Sequence, residues 1–342
     1  MGPRLADIAR QAGVSEATVS RALNDKPGVG AETRKAVLAA LDVLGYERPA
    51  RLQRRSAGLV GMVVPELENP VFPMFAQAAE GVLAQRGYTP VLCTQTPGGV
   101  AEDEYVELLL ERNVSGIIFN CGMHADVTAQ HDRYRELLER GIPIVLVNGY
   151  SERVPATFVS SDDTAAGRIA VEHLAALGHT RIGFVSGPER YVAVRRKLAG
   201  YREAMIERGL GDAAADLVEL SLFGVEGGHA AASALWARGA TAIACGSDLM
   251  ALGAVRAARQ RGLEVPRDVS VVGYDDSQLI AFTDPPLTTV RQPVPAMAEA
   301  SVRALCDEIS GYPPARTEYM FGPELVVRGS TDVVPARRLA VG

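Results

Sequence analysis

From Leu59 onward, short apolar runs alternate with amphipathic stretches. The runs are LVGMVV (59–64), PVLC (90–93), SGIIF (115–119), IPIVLV (142–147), IGFVS (182–186), AIAC (242–245) and VSVVGY (269–274). Each is too short for a helix and reads as a strand buried on both faces. Stretches with helical spacing fit between them, at 74–87, 102–113, 131–140, 164–177, 193–209, 227–238 and 249–262. Strand–helix alternation at this interval predicts parallel sheets with right-handed crossovers. The number of units predicts two sheets, hence two lobes. GPELVVRG (322–329) reads as one more strand returning to a lobe.

The first 46 residues follow a different pattern, that of three short helices. Leu5, Ile8 and Ala9 recur at helical spacing until Ala12-Gly13 breaks the run. Gly13 supplies the left-handed backbone that a tight turn demands. Ser15 is a suitable N-cap for a second helix ending near Leu23, with Val19 and Leu23 inward and Val14 just before the cap. Asn24-Asp25-Lys26-Pro27-Gly28 has loop chemistry, and a third helix spans 31–44 with Val37, Leu38, Leu41 and Leu44 inward. Residues 47–57, ERPARLQRRSA, hold four arginines and a single large apolar residue, Leu52, which is the composition of a linker. The expected organisation is a three-helix helix-turn-helix head (1–46), a hinge or linker (47–57), a two-lobed α/β body (58–330) and a tail (331–342).

Charge sharpens this division. The chain of 342 residues carries −6 overall, but residues 1–57 carry +4 and the remainder −10. A basic head on an acidic body fits a local contact with nucleic acid. Other chemistries find little support. Cys93, Cys121, Cys245 and Cys306 are far apart and form no C-x-x-C, so neither a zinc site nor a disulfide framework is expected. The five histidines lack metal-ligand spacing. No G-x-S-x-G, P-loop or H-E-x-x-H occurs, so no enzyme and no cofactor is expected. The start, MGPRLADIARQAG, carries charges throughout, unlike a secretory signal, and no run approaches the ~18 apolar residues of a membrane span. The expectation is a cytoplasmic protein without a membrane partner, nucleoid-associated when on DNA.

A DNA major groove admits one α-helix and is read from that helix's first turns. In SEATVSRAL (15–23), Glu16, Ala17, Ser20 and Arg21 lie off the buried stripe. Arg21 can reach guanine or phosphate, Ala17 a thymine methyl and Glu16 a cytosine amino group. The hydroxyls of Ser15 and Thr18 suit phosphate oxygens; Leu5 and Asn24 complete the candidate DNA-contact set. An ordinary three-helix bundle with a solvated face is the alternative. In the body, ligands of open α/β folds bind beyond the carboxyl ends of the strands. Asn69, Asn120, Asn148, Asp248, Asp275 and Asp276 have that address, although each alone could be a cap or turn residue.

The run LADIARQAGVSEATVSRALNDKPGVGAETRKAVLAALDVLGYERP closely resembles the DNA-binding head of the lactose-repressor (LacI/GalR) family, most specifically from Ala12 to Asn24. GMVVPELENPVF, RGIPIVLVN, AVEHLAALGHTRIGFVSG, SDLMALGAVRAARQRGLEVPRDVSVVGYDD, DPPLTTVRQP and GPELVVRGS extend the resemblance along almost the whole chain. It implies a homodimer on a pseudo-palindromic operator duplex, with a body like that of periplasmic binding proteins which senses a small effector, a sugar or sugar derivative. It implies a repressor of carbohydrate-metabolism genes, whereas the body alone would equally suit a solute-binding protein for a sugar transporter. It implies a hinge helix that wedges a leucine into the minor groove. The usual spacing puts Arg55 at the wedge, and the segment is about three residues short, which leaves Leu52 for the role with Ala50, Arg51 and Arg54 beside it. A flexible basic tether making only phosphate contacts is the other reading of this segment. In the effector pocket the resemblance places Phe72, Asn148, Asp162, Phe223, Asp275 and Gln292, with the two phenylalanines walling a ring and Asp275 accepting from hydroxyls. The family arginine three residues before Gly200 is Lys197 here, next to Arg195, and Lys lacks the planar fork. Helix 74–87 and segment 278–286 are candidate pieces of the dimer interface.

Overall fold

The computed structural model describes residues 4–24, 26–46, 57–95 and 101–334. They fall in two compact units, Met1–Ala57 and Gly58–Gly342. In the first, α1 (Leu5–Ala12), α2 (Glu16–Leu23) and α3 (Ala31–Val43) enclose a core of Ile8, Ala9, Val19, Ala22, Leu23, Val37, Ala40 and Leu41. Gly13 adopts the left-handed conformation expected of it, at φ 65°. Ser15 caps α2 by accepting from the Thr18 N–H at 3.2 Å. Leu38 and Leu44 pack only at the margin of this core.

The second unit contains two six-stranded sheets. The first runs β11 (Glu318–Phe321), β5 (Thr157–Ser161), β4 (Ile144–Val147), β3 (Gly116–Asn120), β1 (Gly58–Val64), β2 (Tyr88–Thr94). The second runs β12 (Glu324–Val326), β10 (Thr288–Arg291), β9 (Ser270–Asp275), β8 (Ala242–Cys245), β6 (Ile182–Ser186), β7 (Val218–Leu220). Strand periodicity of two splits each apolar run between two cores. Met62, Ile118 and Val145 face α4 (Val71–Gln85) and α12 (Val294–Ile309), while Val63, Ile117 and Leu146 face α5 (Glu102–Glu111) and α6 (Asp132–Glu139). In the second sheet Phe184, Ala244 and Val272 face α7 (Asp163–Ala176) and α8 (Val192–Glu207). Val185, Ile243 and Val271 face α10 (Val225–Ala237) and α11 (Asp248–Gln260); α9 (Gly211–Asp216) sits at the edge of the α7–α8 layer, with Ala214 buried.

Every apolar run of the sequence reading overlaps one of these strands, three of them starting one or two residues before it. Four strands and two helices went unassigned: β5, β7, β10, β11, α9 and α12. The expectation of purely parallel sheets needs one correction. The 322–329 segment is a strand only over Glu324–Val326, and it pairs antiparallel with β10. Residues 331–334, set apart as tail, hold to the second lobe: His173 Nε2 lies 2.9 Å from Thr331 Oγ1, and the Val334 N–H donates to the Leu177 carbonyl at 3.0 Å.

The chain passes between the lobes three times: between β5 and α7, between β10 and α12, and between β11 and β12. Asp162, Gln292-Pro293 and Gly322-Pro323 are the residues at the passages. The Asp162 N–H donates to the Phe321 carbonyl at 2.8 Å, so two of the passages are tied together.

Candidate functional site

In the head, α2 turns Glu16, Ala17 and Arg21 to solvent, and Ser20 and Asn24 are half-buried. Arg21 Nε donates to the carbonyl of Ala17 at 3.3 Å, and Asn24 Nδ2 to that of Ser20 at 2.7 Å. Both side chains are thus folded along their own helix and must exchange a local bond for a base or phosphate. Ser15 Oγ and Thr18 Oγ1 are 2.8 Å apart, so the pair expected on phosphate also secures the helix start. Leu5 is exposed at the start of α1. The hinge candidates Ala50, Arg51, Leu52, Arg54 and Arg55 lie outside the described residues.

In the body, the polar candidates gather where the chain passes between lobes. Asp275, at the end of β9, accepts from Gln292 Nε2 at 2.7 Å and from Asn69 Nδ2 at 3.5 Å. One carboxylate therefore joins the β1–α4 loop of the first lobe, the end of a second-lobe strand and a passage between lobes. Burial, followed by the nearby Asp248 carboxylate, raises its pKa well above the ordinary range, against the pull of Gln292, Lys197 and Asn69. Asn120, only 2 % exposed at the end of β3, has no hydrogen-bond partner for its Oδ1 among the described residues, nor has Ser186 Oγ at the end of β6. A buried carbonyl in that position is an acceptor held ready for a donor. Asn148 Oδ1 accepts from the Ser161 N–H at 3.4 Å. Asp162 caps α7 by accepting from the Ala165 N–H at 2.9 Å.

Backbone strain marks the same place. Of the five non-glycine residues with positive φ among the described residues, Cys121 (51°), Asn148 (58°), Asp275 (116°) and Asp276 (61°) follow or end strands β3, β4 and β9. Such conformations cost of order 1–3 kcal/mol each and concentrate at functional sites. Asp276 is spent on structure, paired with Arg291 and Arg328 at 2.6 Å each.

Two sequence candidates, Asp248 and Arg195, are engaged within the protein and not turned to a ligand. Asp248 is 0 % exposed and accepts from the Ser277 N–H, the Ser277 hydroxyl and the Thr289 hydroxyl, each at 2.7 Å. Burial pushes it up to about 6. It holds the turn that carries Asp275 instead of offering an acceptor to a ligand. Arg195 points outward and donates to the Glu189 carbonyl at 2.9 Å. Phe72 is half-buried against the α4–α12 core, whereas Phe223 is 48 % exposed with its ring centroid 6.1 Å from that of Tyr191.

Sequence reasoning missed a second set of residues that joins the lobes. Asp126, in the segment after β3, forms a β-bridge with Tyr191, the residue before α8. The Val127 N–H donates to the Arg190 carbonyl at 2.9 Å, and Arg190 Nε lies 2.9 Å from Asp126 Oδ2. A buried network supports this clasp from the first lobe: Tyr134 donates its hydroxyl proton to Glu102, the His124 N–H donates to Tyr134, and His124 Nε2 lies 3.0 Å from the Val147 carbonyl. Burial lowers the His124 pKa to about 3, helped by His131. A histidine held neutral in the fold but protonated when unfolded contributes stability above its unfolded pKa near 6.5, and that stability falls as pH drops toward 3. The stability difference between wild type and His124→Gln, from urea denaturation at stepped pH, should therefore shrink by about 1.4 kcal/mol per pH unit below about 6. A pH-independent difference would mean that His124 is not the titrating group.

Residues 4–49 match the family model described as bacterial regulatory proteins, lacI family, and residues 171–331 match a periplasmic binding protein-like domain. The HTH-type transcriptional regulator reg1 of Streptomyces lividans is 62% identical over 99% of both chains. The HTH-type transcriptional regulator MalR of Streptomyces coelicolor is 61% identical, again over 99% of both. The chain belongs to the LacI family. Among solved structures, the transcriptional regulator CelR in complex with cellobiose superposes with a TM-score of 0.70 at 33% identity, covering 96% of this chain and 99% of that one. The lac repressor dimer bound to operator and an anti-inducer gives 0.69 at 29% identity, covering 97% and 100%. As a member of the LacI family the protein is a helix-turn-helix transcription regulator, which sets aside the solute-binding reading that the body alone allowed.

Proposed function

We propose that the protein is a carbohydrate-responsive repressor: its α2 helices read two half-sites of an operator as a dimer, and a saccharide in the body cleft changes its operator affinity. The carrying observation is the convergence on Asp275 of Gln292 and Asn69, from three segments that meet between the lobes. A carboxylate so placed accepts from vicinal hydroxyls, and the Asn120 Oδ1 and Ser186 hydroxyl, without partners among the described residues, offer further polar contacts at the ends of β3 and β6. The cellobiose complex of CelR, the ribose-bound LacI-family regulator of Enterococcus faecium and the similarity to a ribose operon repressor point to the same ligand class. Asn148, Asp162 and Phe223 complete the proposed pocket, and the protein acts in the cytoplasm by binding, without turnover. Helix α4 and segment 278–286, where Leu279 and Phe282 are 74% and 85% exposed, are the proposed faces between subunits. Ala50, Arg51, Leu52, Arg54 and Arg55 are the proposed hinge contacts.

Ligand coupling of about 1–3 kcal/mol between cleft and operator is expected. The test is a thermal-shift screen of saccharides on the full chain, followed by operator titration with each hit at fixed salt. Stabilising saccharides that leave operator affinity unchanged would refute the coupling. Arg21→Ala should weaken operator binding by about 1–3 kcal/mol and relax selectivity at one base position. Wild-type operator binding by that variant at physiological salt would remove Arg21 from the reading face.

A further inference from the structure

The charges around the cleft carry an inference about the ligand itself. Lys197, on α8, stands where a family member would present an arginine. It is 7% exposed, and its Nζ lies 2.7 Å from Asp163 Oδ1 and 4.0 Å from the centre of the Tyr274 ring. The Tyr274 hydroxyl donates to the same Asp163 oxygen at 2.8 Å. Its charge is thus met on one side by a buried carboxylate and on another by an aromatic face. The cations nearby are engaged too. Arg196 makes a two-pronged pair with Glu318 at 2.7 and 2.8 Å, Arg190 is on Asp126, and Arg291 and Arg328 are on Asp276. What stays at the strand ends is Asp275 together with neutral acceptors and hydroxyls.

We infer that the cleft selects uncharged polyhydroxylated ligands and rejects their phosphate esters, because Asp163 and Tyr274 take Lys197 out of use as an anion-binding group. Lys197 drawn off toward a phosphate would leave Asp163 buried and unpaired. A phosphate brought beside Asp275 and Asp163 without that cation meets like charge. Specificity here is exclusion built from an internal pair. The inference rests on the carbohydrate reading above and narrows it.

The experiment is calorimetry on full-length protein at matched ionic strength, with cellobiose, maltose, glucose and ribose each set against its phosphate ester. The expected result is that a neutral saccharide binds and its ester binds at least about tenfold more weakly. An ester that equals or beats its parent overturns the exclusion and leaves the carbohydrate reading standing; no binding in any pair overturns both. Asp163→Asn should free the Lys197 ammonium and raise the ester-to-parent affinity ratio about tenfold, and Lys197→Met added to it should bring the ratio back. General damage to the pocket weakens both ligands together and leaves the ratio unmoved, so an unmoved ratio in Asp163→Asn overturns the assignment. Should that variant fail to fold, the wild-type ratio decides alone.

Discussion

Gly200→Val is expected to destabilise the body by about 3 kcal/mol or more, the upper end for forcing atoms into a packed interior. A β-carbon on Gly200 would stand 1.9 Å from the Thr164 carbonyl oxygen of α7, and one on Gly167 would stand 2.1 Å from the Lys197 carbonyl oxygen of α8. The two helices touch backbone to backbone, and neither carbonyl can swing aside without giving up its own helix. The same approach sets Lys197 over Asp163, so whatever spreads α7 from α8 also parts the buried ion pair. Denaturant unfolding is the measurement. A midpoint within error of wild type would show that the helices are not held this closely in solution.

Asp275→Asn should move two properties in opposite directions. A carboxyl whose pKa is raised on folding lowers stability at every pH above its unfolded value near 3.9, because the fold disfavours its charged form. Neutralising it should raise the melting temperature of the ligand-free protein at pH 7. The variant also loses the charged acceptor that we propose for ligand hydroxyls, a contact of about 1.5–3 kcal/mol, so saccharide affinity should fall on the order of 10- to 100-fold. Melting curves with and without the saccharide hit read both effects. A variant that melts lower than wild type and binds as well would place Asp275 in the scaffold alone. This opposition between stability and function is common where a fold keeps an uncomfortable group for use.

The head was readable because its signals are local: a cap at Ser15, a turn at Gly13, and apolar spacing within each short helix. The central strands were readable because both faces are buried and the runs are purely apolar. Strands β5 and β10 escaped for the opposite reason. Ser160, Ser161, Thr288 and Thr289 are fully buried yet polar, so the code for burial is interrupted there. Thr289 is tolerated inside because its hydroxyl donates to Asp248, and Thr288 because it accepts from the Arg328 N–H. Strand ends marked Asn69, Asn120, Asn148 and Asp275 as neighbours without showing which would touch. Asp163, Tyr274, Asp126 and Arg190 carried no signal of their own, since their roles arise from partners 34 to 111 residues away along the chain, or on the far side of a lobe boundary. Asp248 illustrates the converse: its position suggested a ligand contact, but it is fully buried and its neighbours engage both of its oxygens.

The three passages between lobes also constrain how the protein is made. The first lobe's core includes Met297, Val302 and Leu305 of α12, and β11 forms one edge of its sheet. A ribosome that has delivered the first five strands has therefore not delivered a finished lobe. Val60, Met62, Val145 and Val159 wait for residues about 135 to 245 positions downstream, with the entire second sheet but its last strand synthesised in between. A message cut short before α12 would yield a protein bearing an intact DNA-reading head on a body with one apolar flank uncovered, a natural target for degradation.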